Sequence, residues 1–327
     1  MSGQVRKSHR KVAFRVNGGG AAVDKPFKTV EEQIELLAAR NLKIDKTATE
    51  PLLREGYYSV VNGYRWPFIS SGDTYVNGAS FDDMYRLFIF DRDLRGVLML
   101  YFSMAEATLK ATCSYVFSQE HQDEPNAYLV QSNYRADGKY PARVKALIND
   151  FNKILAATGR SRSCRDYLAH YVNNHDNVPF WVLTNYLMLG QIFKFYEYQT
   201  ESVQKKISMQ FARIFEMSCG NSIRLSPRKL RLVYDYVKDF RNICAHDERL
   251  YCSKVSPSRD IRVADVMGDL AFVLPKTAYG QMKAKVVKLV QDAAIDLGED
   301  IAGEILRSMG FASVEENAGC CPPFVKG

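Results

Sequence analysis

An arginine, an asparagine and a histidine lie close together at Arg241, Asn242 and His246. They belong to the segment Asp239-Phe240-Arg241-Asn242-Ile243-Cys244-Ala245-His246-Asp247-Glu248-Arg249-Leu250-Tyr251. These residue types suit one reaction. An imidazole can take the proton of an RNA 2′-hydroxyl or protonate a leaving 5′-oxygen. A guanidinium can hold the phosphate and stabilise the charge of a pentacovalent state. An amide can orient the phosphate or the imidazole. No metal or other cofactor is needed, and the products expected are a 2′,3′-cyclic phosphate and a 5′-hydroxyl.

The element that must position these groups is a helix starting near Arg228 and ending near His246. Pro227 suits its first turn, and Leu230, Val233, Val237, Phe240 and Cys244 form its apolar stripe. Asn242 and His246 are one turn apart on another side, and Asp239, seven residues before His246, falls with them. Arg241 lies about 140° around the helix from His246. It reaches the same site through its long side chain, a distorted helix end or a partner subunit. Arg249 follows as a further phosphate contact or supporting residue.

The bare spacing does not decide the matter. Chance supplies ~0.35 Arg-x4-His pairs in a chain of this composition, and a second pair stands at Arg165 and His170. Either histidine could equally close a helix C-terminus. The helix-closing role comes first for such a pair, and an auxiliary phosphate contact is the functional alternative for Arg165 and His170. Cys244, His246 and Cys252 do not match the usual spacing of zinc ligands, and no metal site is assigned.

Other helices frame this one. Thr29-Val30-Glu31-Glu32 fits a capping box. Residues 82–119 form the longest periodic run, with Leu87, Leu94, Leu98, Tyr101, Ala105, Leu109, Thr112 and Val116 on one face. Arg95 and Glu106 are eleven residues apart on this helix, three turns along one face, and Asp91 precedes Arg95 at i,i+4. An ion-pair network fixing helix packing is expected there; supporting Arg241 or His246 is the functional alternative. Helix is expected to continue over 179–199 from Pro179, and further helices at 201–216, 277–296 and 299–309. Residues 57–81 mix Tyr57, Tyr58, Tyr64, Trp66 and Phe68 with glycine and proline, and read as a hairpin or an irregular connection. Those aromatics could stack bases or pack a turn. The class is all-α.

Composition adds limits. The chain of 327 residues is 46% apolar and 25% charged, which excludes a wholly disordered protein. Residues 1–28 carry +6 of the net +7, so the body is near neutral and the first residues form a basic arm, either a solvated tail or a contact for RNA or DNA phosphates. The uncharged stretch 177–193 sits at the short limit for a membrane span and reads as a buried core helix. Seven cysteines and no apolar leader point to a reducing cytoplasm. The organisation expected is an arm at 1–26, one helical body at 27–312 with the motif helix near 228–246, and a tail at 313–327 containing Cys320 and Cys321.

The residues around the motif also carry a resemblance. Arg241-Asn242-x-x-Ala245-His246, with an aromatic after it, resembles the signature of the HEPN superfamily. The body resembles the Abi-like abortive infection proteins of bacteria, of the AbiD/AbiF type. Matching pieces run in order: Pro26-Phe27-Lys28-Thr29, Arg40-Asn41-Leu42-Lys43-Ile44, Asn62-Gly63-Tyr64, Phe90-Asp91-Arg92-Asp93-Leu94-Arg95, Val178-Pro179-Phe180-Trp181, the motif itself, and Met309-Gly310-Phe311. The resemblance implies a HEPN helical core with the motif on its last helix. It implies a homodimer pairing two motifs into a composite site, and an RNA-cleaving or RNA-binding toxin of phage defence. Some relatives are associated with a small RNA, so RNA is either substrate or bound partner. Lys110 stands where the resemblance leads one to expect arginine after Glu106.

Overall fold

The first helix starts where its capping signal lies. In the computed structural model, which describes residues 26–158, 166–256 and 259–311, Thr29 Oγ1 accepts the Glu32 N–H (3.3 Å) and Glu32 Oε2 accepts the Thr29 N–H (2.7 Å). This reciprocal box opens α1 (Val30–Ala39). The short α2 (Thr49–Glu55) ends at Gly56, whose φ of 82° suits glycine.

The aromatic-rich segment contains both structures expected of it. One π turn, Tyr58–Asn62, and one 3₁₀ turn, Trp66–Phe68, precede a small antiparallel hairpin of β1 (Ile69–Ser71) and β2 (Thr74–Tyr75). Tyr64, Phe68 and Tyr75 are buried, so these rings pack, whereas Tyr58 and Trp66 face solvent.

The long periodic run becomes α3 (Phe81–Glu120), 40 residues and about 60 Å long. Ser80 caps it by accepting the Asp83 N–H (3.1 Å). All eight residues of the expected face, from Leu87 to Val116, are buried. The amphipathic α4 (Tyr140–Thr158) and the short α5 (Asp166–Asn174) follow.

The continuous helix expected over 179–199 is not formed. Pro179 caps α6 (Phe180–Leu183), a 3₁₀ turn follows at Thr184–Tyr186, and α7 (Leu189–Tyr198) starts afresh. Thr184 Oγ1 and Asn185 Nδ2 both donate to the Trp181 carbonyl (3.2 and 3.0 Å), and Gln191 Oε1 accepts the Met188 N–H (2.9 Å). Side chains that bond locally to backbone compete with helix and end it. No helix among the described residues is long and apolar enough to cross a membrane.

α8 (Glu201–Cys219) stops at Gly220, and Ser226 caps α9 (Pro227–Ala245) through the Lys229 N–H (3.1 Å). α10 (Val263–Leu270), α11 (Lys276–Leu297) and α12 (Glu299–Met309) complete the described chain. The fold is all-α apart from the hairpin. α3 is its axis, with α6, α7, α8, α9 and α11 packed along it. Phe117, Phe180 and Phe195 meet edge-on or tilted at the centre, with centroids 4.3 to 5.5 Å apart. One apolar core runs from Leu37 to Phe311, and a small satellite of Leu168, Val178 and Val182 lies under α5.

Candidate functional site

α9 buries Leu230, Val233, Val237 and Phe240, which leaves Asn242 and His246 exposed and Arg241 half-buried. The helix closes at His246, whose N–H bonds to the Asn242 carbonyl (3.0 Å). The Glu248 N–H then reaches back to the Ile243 carbonyl (3.1 Å), the six-to-one bond of a Schellman turn. Asp247 occupies the left-handed position of that turn, with φ 55°. Glycine is usual there; aspartate is among the few residues that tolerate it.

The turn aims the Asp247 carboxylate at α3. Arg95 Nη2 donates to Asp247 Oδ1 (2.5 Å), and Arg95 Nη1 donates to Asp91 Oδ2 (2.7 Å), the Tyr64 hydroxyl (3.2 Å) and the Glu248 carbonyl (3.3 Å). Asp91 is fully buried and Arg95 is 4% exposed. Asp91 also accepts the Tyr64 hydroxyl (2.7 Å) and the N–H groups of Leu250 (2.9 Å) and Tyr251 (2.7 Å). Burial pushes the Asp91 carboxyl above the usual carboxylate range, and its donors pull the other way. Burial and the Asp91 charge push the Tyr64 hydroxyl up. The chain leaving His246 is thus bolted to α3 by a charged network with four donors on one carboxylate.

The motif side chains themselves are free. Among the described residues Arg241, Asn242 and His246 make no side-chain hydrogen bond or ion pair. Arg241 lines a groove of about 940 Å³ between α3, α6 and α9, together with Glu106, Lys110, Trp181 and Asn185. His246 is not part of that lining. The two groups therefore project from different sides of α9, as their angular separation requires.

The remaining expected residues divide. Glu106 and Lys110 pair with each other at 2.8 Å in the Arg241 groove. Arg95 joins Asp91, so the single network expected along α3 splits into two, because residues at i,i+4 meet before those three turns apart. Asp239 pairs with Lys238 (3.4 Å) and is not bonded to the imidazole. Arg249 Nη1 donates to the Gly63 carbonyl (2.8 Å), which ties the loop after the motif to the aromatic-rich segment. Arg165 lies outside the described residues, as do residues 1–25 and the Cys320-Cys321 tail. His170 is exposed on α5, beside Asn174 (3.2 Å), and belongs to neither the Arg241 groove nor the Asp91 network.

Burial raises the Cys244 thiol to about 12 and raises Cys252 as well, so neither offers a thiolate near neutral pH. No group of three or more His, Cys, Asp or Glu side chains among the described residues is placed to hold an ion. Sequence reasoning did not single out Trp181, Asn185 or Asp247. The one available signal was a hydrophilic Asn185 and a large Trp181 inside an otherwise apolar stretch.

A family model described as Abi-like protein matches residues 50–252, from α2 through the loop that Asp91 holds. α1 and α10 to α12 lie outside the match. No curated protein and no solved structure matches the chain.

Proposed function

The chain belongs to the Abi-like protein family, and from that premise we propose that it is a HEPN-type endoribonuclease of AbiD/AbiF character. The family points to abortive infection, a phage-defence response. His246 takes the proton from a 2′-hydroxyl, and the freed oxygen attacks the adjacent phosphorus. Arg241 neutralises the charge that gathers on the phosphoryl oxygens, and Asn242 holds the phosphate in line. The leaving 5′-oxygen takes a proton from solvent, protonated His246 returns its own proton to solvent, and the products are a 2′,3′-cyclic phosphate and a 5′-hydroxyl.

One observation carries this reading. Three side chains of the right types stand unpaired at a helix end, beside a loop fixed by a buried charged network. His246 stands at the C-cap of α9, and its side chain, like those of Arg241 and Asn242, makes no bond within the described residues and is free to bind a phosphate. The angle between Arg241 and His246 supports a homodimer in which Arg241 of one subunit works beside its partner's histidine. The same angle favours a second reading, a non-catalytic module that grips RNA, including a bound non-coding RNA, with the same residues holding phosphates.

Incubation of wild type and His246→Ala with total RNA in EDTA separates the two. Cyclic-phosphate ends made by wild type alone support the nuclease. RNA that co-purifies with both proteins and is cut by neither supports the module.

A further inference from the structure

We propose that the groove beside Arg241 seats an unpaired RNA strand whose bases stack on Trp181 and Tyr115. The assignment deepens the reading above, rests on it, and names the form of RNA the site accepts.

Trp181 and Tyr115 are 55% and 58% exposed on the groove lining. Their neighbours show how unusual this is for the elements that carry them. Phe180, Val182 and Leu183 of α6 are all buried, and Trp181 alone of that helix turns outward. Its backbone is held on both sides, by Pro179 before it and by Thr184 and Asn185 bonding to its carbonyl. The ring is therefore presented from a fixed element. Planar rings held in solvent beside a phosphate-binding group are the platform that unpaired bases use.

The rest of the lining fits the same occupant. Gln119 and Gln122 are uncharged amides, able to donate to and accept from base edges, and Asn185, whose amide nitrogen bonds to the Trp181 and Val182 carbonyls, offers its oxygen as an acceptor. Lys110 is neutralised by Glu106, which leaves Arg241 as a free cation without a carboxylate partner among the described residues. A duplex offers two rows of phosphates and hides its base faces. A single strand can place one phosphate on Arg241 and turn its bases to the rings.

The path of the groove follows from helix packing. The Tyr234 hydroxyl donates to the Ala105 carbonyl, and Arg95 reaches Asp247, so α9 runs antiparallel to α3. Arg241 is accordingly at the Ser103 end of the groove. Beyond Trp181 a second cavity of about 300 Å³ shares Ser118, Gln122 and Trp181 with the first. From Ser103 to Gln119 the trough follows α3 for about 24 Å.

The chain has two tryptophans, so Trp66→Phe leaves Trp181 as the sole reporter. In that background the probe is a ten-nucleotide unpaired RNA carrying 2′-O-methyl groups, which block cleavage. Trp181 emission is expected to be quenched on titration. Trp181→Ala and Tyr115→Ala should each weaken binding about tenfold, and Trp181→Phe by less than about threefold. A blunt duplex of the same sequence should neither quench nor compete. Thermal melts of the variants should match wild type, because both rings are exposed.

Binding without quenching, or unchanged affinity in Trp181→Ala, overturns the seat. So does conversion of a dimer to a monomer by Trp181→Ala in light scattering, which would make the groove a contact between copies. Cleavage of unmethylated RNA is read in parallel. Cleavage that persists in Trp181→Ala with an unchanged KM removes the seat and keeps the nuclease. Quenching by wild type with no cleavage keeps the seat and removes the nuclease.

Discussion

Asp91 and His246 mark two extremes among the polar residues of this protein. His246 is exposed and makes no side-chain bond among the described residues, and Arg241 is similarly unengaged. His246→Ala and Arg241→Ala should therefore change stability by no more than about 0.5 kcal/mol, and under the proposed nuclease function each should abolish cleavage. Asp91 is fully buried and accepts from Arg95, Tyr64, Leu250 and Tyr251. Asp91→Asn keeps the shape, removes the charge and turns an amide donor on other donors. It should cost about 3 to 5 kcal/mol in urea unfolding. A loss below about 1 kcal/mol would mean that the network does not hold the loop. The Cys244 thiol, raised by burial to about 12, gives a third expectation. Iodoacetamide at pH 8 should label Cys244 only after unfolding, as read by peptide mass spectrometry.

Between elements, the contacts that set the site are few and specific. α2 is clamped to α3 by Arg92, which donates to both oxygens of Glu55 (2.9 and 2.6 Å) and stands 4.5 Å over the Phe88 ring. The hydrogen bond from Arg92 holds the Glu55 carboxyl below its usual range. A carboxyl lowered in the folded state contributes stability above its unfolded pKa, and the contribution is lost as pH falls through the folded value. The stability gap between wild type and Glu55→Gln should thus be full above about pH 5 and close on further acidification. A gap that stays constant down to acid unfolding would show that the pair contributes no charge energy. α9 and the turn after it depend on α3 in the same way, through Arg95 and Asp91, and the family match includes both sides of this contact.

For the whole molecule the decisive question is how Arg241 and His246 come to one phosphate. Arg241 opens onto the groove along α3, and His246 does not line it. In the proposed homodimer a twofold axis would resolve this, because each site would then take one group from each subunit. Arg241→Ala and His246→Ala, each inactive alone, should complement when mixed and allowed to exchange. Half of the dimers are then mixed and hold one intact site of two, so about a quarter of wild-type turnover should return. No recovery in a mixture whose subunits exchange would exclude the shared site.

What was legible in the sequence was whatever depends on residues near one another in the chain. The capping box at Thr29, the buried face of α3, the stripe of α9 and the Arg-Asn-x-x-Ala-His spacing are all local patterns, and local geometry is set by periodicity and caps. The angle between Arg241 and His246 was legible for the same reason. A helical projection states where a side chain leaves its own axis and says nothing of what stands opposite. Only the tertiary structure decided that Asp247 meets Arg95 across 152 residues of chain, that Asp91 receives the N–H groups of Leu250 and Tyr251, and that Arg241 and Trp181 line one groove. The break between α6 and α7 belongs with these. Its apolar residues read as one helix, and the competition from Thr184, Asn185 and Gln191 broke it, with Trp181 exposed on the groove that Arg241 also lines.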